Sequence, residues 1–286
     1  MSDYDAWEGY GTMFDDVPAK RAALPIQSSA EFLENVPPYD EGKDYLGAFL
    51  HGGYRVHVAG PIGHGKTSFL LEAVSAAVRA DEFIGFSGER TGLRCLYVDL
   101  EMPGELLAQA VRDARLEGHP DFDLLSLPHG LRIDTHPEDA RRLEEAADGY
   151  DILVIDPFYK LVEYEMEYKS TWAITKCLDG IRERYPNLCT AIGFHAHGQA
   201  TPKEPIRIEQ IVGFKYHHRP ADIVVTFQRI ENDTSRVRWC KNRSPRLKVR
   251  YDEVWPVQWE RGRGFTRVED ATSHNVAEDS DGELFA

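Results

Sequence analysis

The chain has 286 residues, enough for one large domain or two small ones, and its 42% hydrophobic and 28% charged residues leave ample material for a globular core. A net charge of −15 argues against a protein that coats nucleic acid through its overall charge, while leaving room for a local basic channel. Cys95, Cys177, Cys189 and Cys240 show neither C-x-x-C pairing nor zinc spacing with His, and no signal peptide or apolar run of the ~18–20 residues of a membrane span is present. These features predict free thiols in a soluble, cytoplasmic protein with no membrane partner.

Residues 1–43 are rich in Asp, Glu, Pro and aromatics and read as an extended, subunit-packing arm with one short helix near Ser29–Asn35. From residue 44 to 262 strand-like and helix-like segments alternate, which predicts an α/β fold with a mostly parallel central sheet flanked by helices. Tyr54–Ala59 reads as a strand, followed by a glycine-rich loop and a helix from Lys66 to about Ala80. Arg94–Leu100 reads as a second strand, followed by a helix from Gly104 to about Leu116. Thr135-His-Pro-Glu138 has the form of a capping box with Pro in the first turn, opening a helix to about Ala147. Asp151–Asp156 is a continuous apolar strand ending in an acid, Ser170–Tyr185 reads as a helix, and Cys189–Phe194 as another buried strand. Ile223–Arg229 and Ser235–Cys240 read as a C-terminal antiparallel hairpin. Residues 263–286 are polar and acidic and read as a disordered tail.

The loop is GPIGHGKTSF, Gly60 to Phe69, with the spacing G-x-x-x-x-G-K-T. A strand delivers it and a helix leaves it, the context in which backbone N–H groups and a helix N-terminus face phosphate. Gly60, Gly63 and Gly65 let the backbone approach the phosphates, with His64 filling the loop and Ser68 following it. Lys66 is placed to pair with the β and γ phosphates, and the Thr67 hydroxyl to ligate Mg²⁺. Asp156, at the C-terminal end of its strand, is the candidate acid for the metal. LYVDLEMP offers Asp99 and Glu101 to orient the attacking water, and Glu101, just past the strand end, is the better placed. The predicted cofactors are ATP and Mg²⁺.

The ordered set GPIGHGKT, LYVDLEMP, DILVIDP, GFHAH and CKNR resembles the RecA-like P-loop ATPases, in particular the AAA-type branch that includes the RepA-like hexameric helicases of plasmids and phages. The run from Tyr45 to Gly85 is similar to the opening of that branch, and the likeness spans residues 28–245. The resemblance implies that Glu101 is the catalytic glutamate. It also implies that His195 or His197 senses the γ-phosphate, and that Lys241 and Arg243 reach from a neighbouring subunit into the site. It further implies a ring of like subunits, a hexamer favoured, with two loops facing nucleic acid. The first, after Asp156, sets Glu163, Glu165 and Glu167 against Lys160 and Lys169. Its Phe158, Tyr159, Tyr164 and Tyr168 read as packing residues before base-stacking ones. The second, Gly198 to Pro220, carries Lys203, Arg207, Lys215 and Arg219 and is locally basic. The expected function is an ATP-driven motor on single-stranded DNA in replication or recombination, with the acidic tail available to partner proteins. The alternative is an ATP-dependent switch or assembly factor that binds a protein and no DNA.

Overall fold

In the computed structural model, residues 28–36, 38–163, 168–196, 204–212, 220–231 and 233–268 are described. They fall in two units, one within residues 1–40 and one within 41–286. The first contains helix α1 (Ser29–Asn35), whose capping box joins Ser28 Oγ to the Glu31 N–H (3.2 Å) and Glu31 Oε2 to the Ser28 N–H (2.7 Å).

The second unit is built around central strands, residues 55–60, 95–99 and 152–156, that are buried on both faces. Short pairs β1 (Asp44–Leu46) with β2 (Leu50–His51), and β4 (Glu82–Phe83) with β5 (Phe86–Ser87), flank a nine-stranded sheet. Its parallel part comprises β3 (Arg55–Gly60), β6 (Cys95–Asp99), β7 (Phe122–Ser126), β8 (Ile152–Asp156), β9 (Cys189–His195) and β10 (Ile223–Glu231). Strands β11 (Thr234–Asn242), β12 (Val254–Glu260) and β13 (Gly264–Arg267) add to it in antiparallel fashion. The order is β13-β12-β11-β10-β3-β9-β8-β6-β7. Helices α2 (Lys66–Arg79), α3 (Gly104–Asp113), α4 (Pro137–Ala146) and α5 (Tyr168–Arg184) connect the strands.

Alternation along each strand decides which helix a residue meets. Ile152 and Val154 join Val56, Val58 and the apolar face of α2 in one core cluster, whereas Leu153 and Ile155 join Leu143, Ile174 and Leu178 of α4 and α5 in the other. Asp156 follows Ile152 and Val154 onto the α2 face. Gly193 and His195 follow Cys189 and Ala191 there. The site residues are therefore gathered by strand parity.

Two sequence expectations need correction. Thr135 does not cap α4: the N-cap is His136 with no side-chain cap bond, and Thr135 Oγ1 donates instead to Glu163 Oε2 (2.8 Å). Pro137 does sit in the first turn. Gly264–Arg267, read as the start of the tail, forms edge strand β13 because Phe265 docks on Phe69 (5.7 Å between centroids) and Phe227 (5.3 Å). The four cysteines are free, as expected. Among the described residues no helix is long and apolar enough to cross a membrane.

Trp239, fully buried, contacts Phe49 (5.6 Å), Phe86 (5.7 Å) and Trp255 (4.9 Å) and ties the antiparallel strands to the core. Trp239→Ala should lower unfolding free energy by about 3–5 kcal/mol in urea titration. The exposed Trp172 provides a control, and Trp172→Ala should stay within about 0.5 kcal/mol of wild type.

Candidate active site

The phosphate-type loop leaves β3 at Gly60, where a Cβ would strike the Phe227 carbonyl oxygen. Gly65, with φ +90°, is the N-cap of α2 and turns the chain through the left-handed region that favours glycine. Lys66 is buried (6% exposed), and its Nζ donates to the Pro61 carbonyl (3.1 Å) and to His195 Nδ1 (3.2 Å). Burial lowers its pKa, and Asp156 and Glu101 oppose that shift. A cation in this state gains from an added anion.

Asp156 is 3% exposed and accepts from Thr67 Oγ1 (2.6 Å) and the Tyr97 hydroxyl (3.0 Å). Burial raises its pKa against the Thr67 bond and the Lys66 charge. A buried carboxylate beside a hydroxyl at a helix N-terminus is an oxygen donor set that fits Mg²⁺, as the glycine-lined loop and Lys66 fit a polyphosphate.

Asp99 and Glu101 separate clearly. Asp99 ends β6 opposite Asp156 and accepts the Met102 N–H (3.2 and 3.3 Å), so it builds the turn. Burial pushes its pKa up to about 6, against the Met102 N–H and reinforced by Asp156. Glu101 leaves that turn with 41% of its side chain exposed. Its Oε1 accepts from the Tyr159 hydroxyl (2.5 Å) and its Oε2 lies 3.7 Å from His195 Nε2. His195 is depressed to about 4, first by burial and then by Lys66. It is therefore neutral at pH 7, and the Lys66 donor to Nδ1 assigns its proton to Nε2, facing Glu101. The structure thus brings Lys66, Thr67, Glu101, Asp156 and His195 together.

The AAA domain family matches residues 19–198, which include every one of those five positions. The chain belongs to the AAA domain family. No curated protein matches it in sequence. Among solved structures it is similar to a KaiC-like protein of Pyrococcus horikoshii OT3 (17% identity, 77% of this chain and 91% of that one, TM-score 0.52). It is also similar to the RadB recombinase (16%, 78% and 94%, 0.54) and to a third solved structure, an ATPase domain (13%, 77% and 86%, 0.53). At these identities the likeness is one of fold, a RecA-like P-loop ATPase core.

The other expected residues of this AAA-family chain are dispersed. Lys241 pairs with Val224, which pairs with His57, so Lys241 and the exposed Arg243 lie toward the end of the sheet opposite their own loop. Burial, with Arg243 adding, lowers the Lys241 pKa to about 8. Arg207 is exposed on a segment held by the buried Ile206 and Ile211. His197, Lys203, Lys215 and Arg219 lie outside the described residues, as do Tyr164, Glu165 and Glu167. His64 fastens the loop by accepting the Arg229 N–H at Nδ1 (3.2 Å).

Sequence reasoning missed Tyr97, Gly193 and Arg229 at the site, and took Tyr159 for a packing residue. Tyr159 packs on His195 (4.8 Å between centroids) but also holds Glu101, and the Arg229 guanidinium leans over Gly65. Only Gly193 left a signal, as a glycine inside a buried strand. A Cβ there would run into Asp156 Oδ1. Gly193→Ala should displace the carboxylate and weaken Mg²⁺-dependent nucleotide binding by roughly 10-fold or more, read by fluorescent-nucleotide titration with and without Mg²⁺. Equal affinity to wild type under both conditions would contradict this packing.

Proposed function

We propose that this chain is an ATP-hydrolysing RecA-like motor acting on single-stranded DNA in phage or mobile-element replication or recombination, in the manner of a RepA-like helicase and as a ring of like subunits, a hexamer favoured. The observation that carries the reading is a continuous line of contacts from the phosphate loop to the basic second loop. Lys66 meets His195, and the backbone beyond His195 joins the segment bearing Arg207: Val212 N–H donates to the His195 carbonyl (2.9 Å) and Ala196 bridges Ile211. In this reading a change in what Lys66 binds passes along that line to Arg207, the candidate nucleic-acid contact.

In this reading Gly60, Gly63, His64, Gly65 and Ser68 form the cradle for ATP, and Lys66 holds the β and γ phosphates. A groove of about 240 Å³ beside Ser68, between Met102, Leu106 and Trp259, is the candidate seat for the nucleoside end. Thr67 and Asp156 would hold Mg²⁺, which when bound neutralises phosphate charge. Glu101 orients the attacking water and takes its proton. Glu163 does not burden the DNA path, because Arg132 Nη1 (2.9 Å) and Thr135 Oγ1 (2.8 Å) donate to its carboxylate.

The net charge of −15 favours a second reading, an ATP-dependent switch that binds a protein partner, with the acidic tail and its Leu284 and Phe285 as a partner hook. Single-strand dependence separates the two. Oligo(dT) should stimulate ATP hydrolysis. Replacing Lys203, Arg207, Lys215 and Arg219 together should weaken binding. It should also flatten the salt dependence by roughly 0.7 log units per log salt for each phosphate no longer neutralised. No stimulation and no single-strand binding would favour the protein switch.

The ring is tested by mixing variants. If Arg243 serves a neighbour's nucleotide, Lys66→Ala and Arg243→Ala should each be inactive alone. Equal mixing after proven subunit exchange should rebuild roughly a quarter of the interfaces, since head-to-tail contacts pair different patches. ATPase activity above both parents is the expected result, and an active Arg243→Ala parent would remove the trans role.

A further inference from the structure

We propose that Tyr159 is a positioning residue for hydrolysis: its phenol anchors one oxygen of Glu101 so that the other faces the phosphate loop. The inference rests on Glu101 being the base. Glu101 stands on a turn beyond the sheet with 41% of its side chain exposed, and a long side chain in that setting has several rotamers open to it. A base that must meet one water in one direction loses rate to that freedom.

Tyr159 is mounted to remove it. It lies three residues after Asp156 on a 3₁₀ turn, Phe158–Leu161. Phe158 is buried and stacks on Phe194 (4.5 Å between centroids, 22°). On the outer side of the turn, the carbonyls of Lys160 and Leu161 accept the N–H groups of Leu131 and Ile133 (3.0 Å each). The phenol is thus carried by backbone fixed from two sides. Its ring rests on His195, and its hydroxyl donates to Glu101 Oε1 (2.5 Å). Burial and the Glu101 charge raise the Tyr159 pKa, so the hydroxyl keeps its proton and remains a donor.

With Oε1 occupied, Oε2 is the oxygen turned toward the site. It lies 3.7 Å from His195 Nε2, a buried nitrogen with no hydrogen-bond partner among the described residues. His195 Nδ1 contacts Lys66 on the other side. The phenol therefore sets the far end of the line Lys66–His195–Glu101, and acts on the reaction only through Glu101.

The test is a double-mutant cycle on the full chain with Mg²⁺-ATP and no nucleic acid, using Tyr159→Phe, Glu101→Gln and the pair. Phe keeps the ring on His195 and removes only the donor. Tyr159→Phe should lower kcat roughly 10-fold with KM for ATP unchanged, the effect of one hydrogen bond to a charged group. In the Glu101→Gln background the same change should cost little further, because a residue acting through Glu101 has nothing left to position. A wild-type kcat for Tyr159→Phe, or the same 10-fold loss in both backgrounds, overturns the inference while the base assignment stands. Wild-type turnover by Glu101→Gln instead removes the base assignment itself, and the positioning role with it.

Discussion

The site depends on one buried charge. Asp156 sits at the end of β8 with 3% of its surface exposed, a position where an unpaired carboxylate would be costly. Two hydroxyls offset that cost, each tying down another element. Thr67 brings the first turn of α2 to it, and Tyr97 links it to β6. Lys66 adds an opposite charge from the same helix turn. Strand β9 runs between the loop-bearing β3 and β8, so Thr67 reaches Asp156 only by passing over β9. Gly193 is the residue of β9 beneath that crossing, and its missing side chain makes the contact possible. The loop, the helix and the strand order are thus one arrangement.

The neutral state of His195 has a mechanical consequence. A protonated imidazole beside Lys66 would repel it, whereas the neutral ring accepts from it. The Lys66–His195 contact is therefore a hydrogen bond that can change partner with no change in net charge at the histidine, while Glu101 Oε2 lies 3.7 Å from Nε2 on the far side of the ring. Exchange of partners alters side-chain position, and position can be passed to a backbone. The join between His195 and Val212 is a backbone hydrogen bond, suited to that kind of signal.

The elements legible in the sequence are those with strong local pattern. Strands β8 and β9 are continuous apolar runs, and the loop before α2 has fixed spacing. The placement of Glu101 past the end of its strand is also local, and in the structure Asp99, at the strand end, accepts the Met102 N–H. What could not be read depends on contacts between distant segments. Tyr97 and Tyr159 look like core aromatics until Asp156 and Glu101 are set beside them. Thr135 fits a cap by spacing, but Glu163 from another loop takes its hydroxyl. Strand β12 alternates Trp255, Val257 and Trp259, yet Pro256 argues locally against an interior strand. The strand forms around the proline nonetheless, with Trp255 stacked on Phe86 and edge-on to Trp239.

Sheet geometry also bears on how the active site is completed. In a parallel sheet the phosphate loop opens at the carboxyl ends of the strands. Strand β11 runs the other way, so its C-terminal residues approach the opposite end. Lys241 shares a row with His57, three residues before Gly60, and Arg243 lies two residues farther still. At about 3.3 Å per residue these positions fall roughly 10 and 17 Å short of the loop along the strand, before the two strand spacings between are counted. A lysine or arginine side chain cannot close that separation within one chain. If either cation meets ATP, it meets a neighbour's ATP, and the exposure of Arg243 leaves it free to do so. The antiparallel extension would then place a subunit's contribution to the next site at the far end of the sheet that carries its own. Such an arrangement repeats head to tail and makes hydrolysis in one subunit depend on the placement of another.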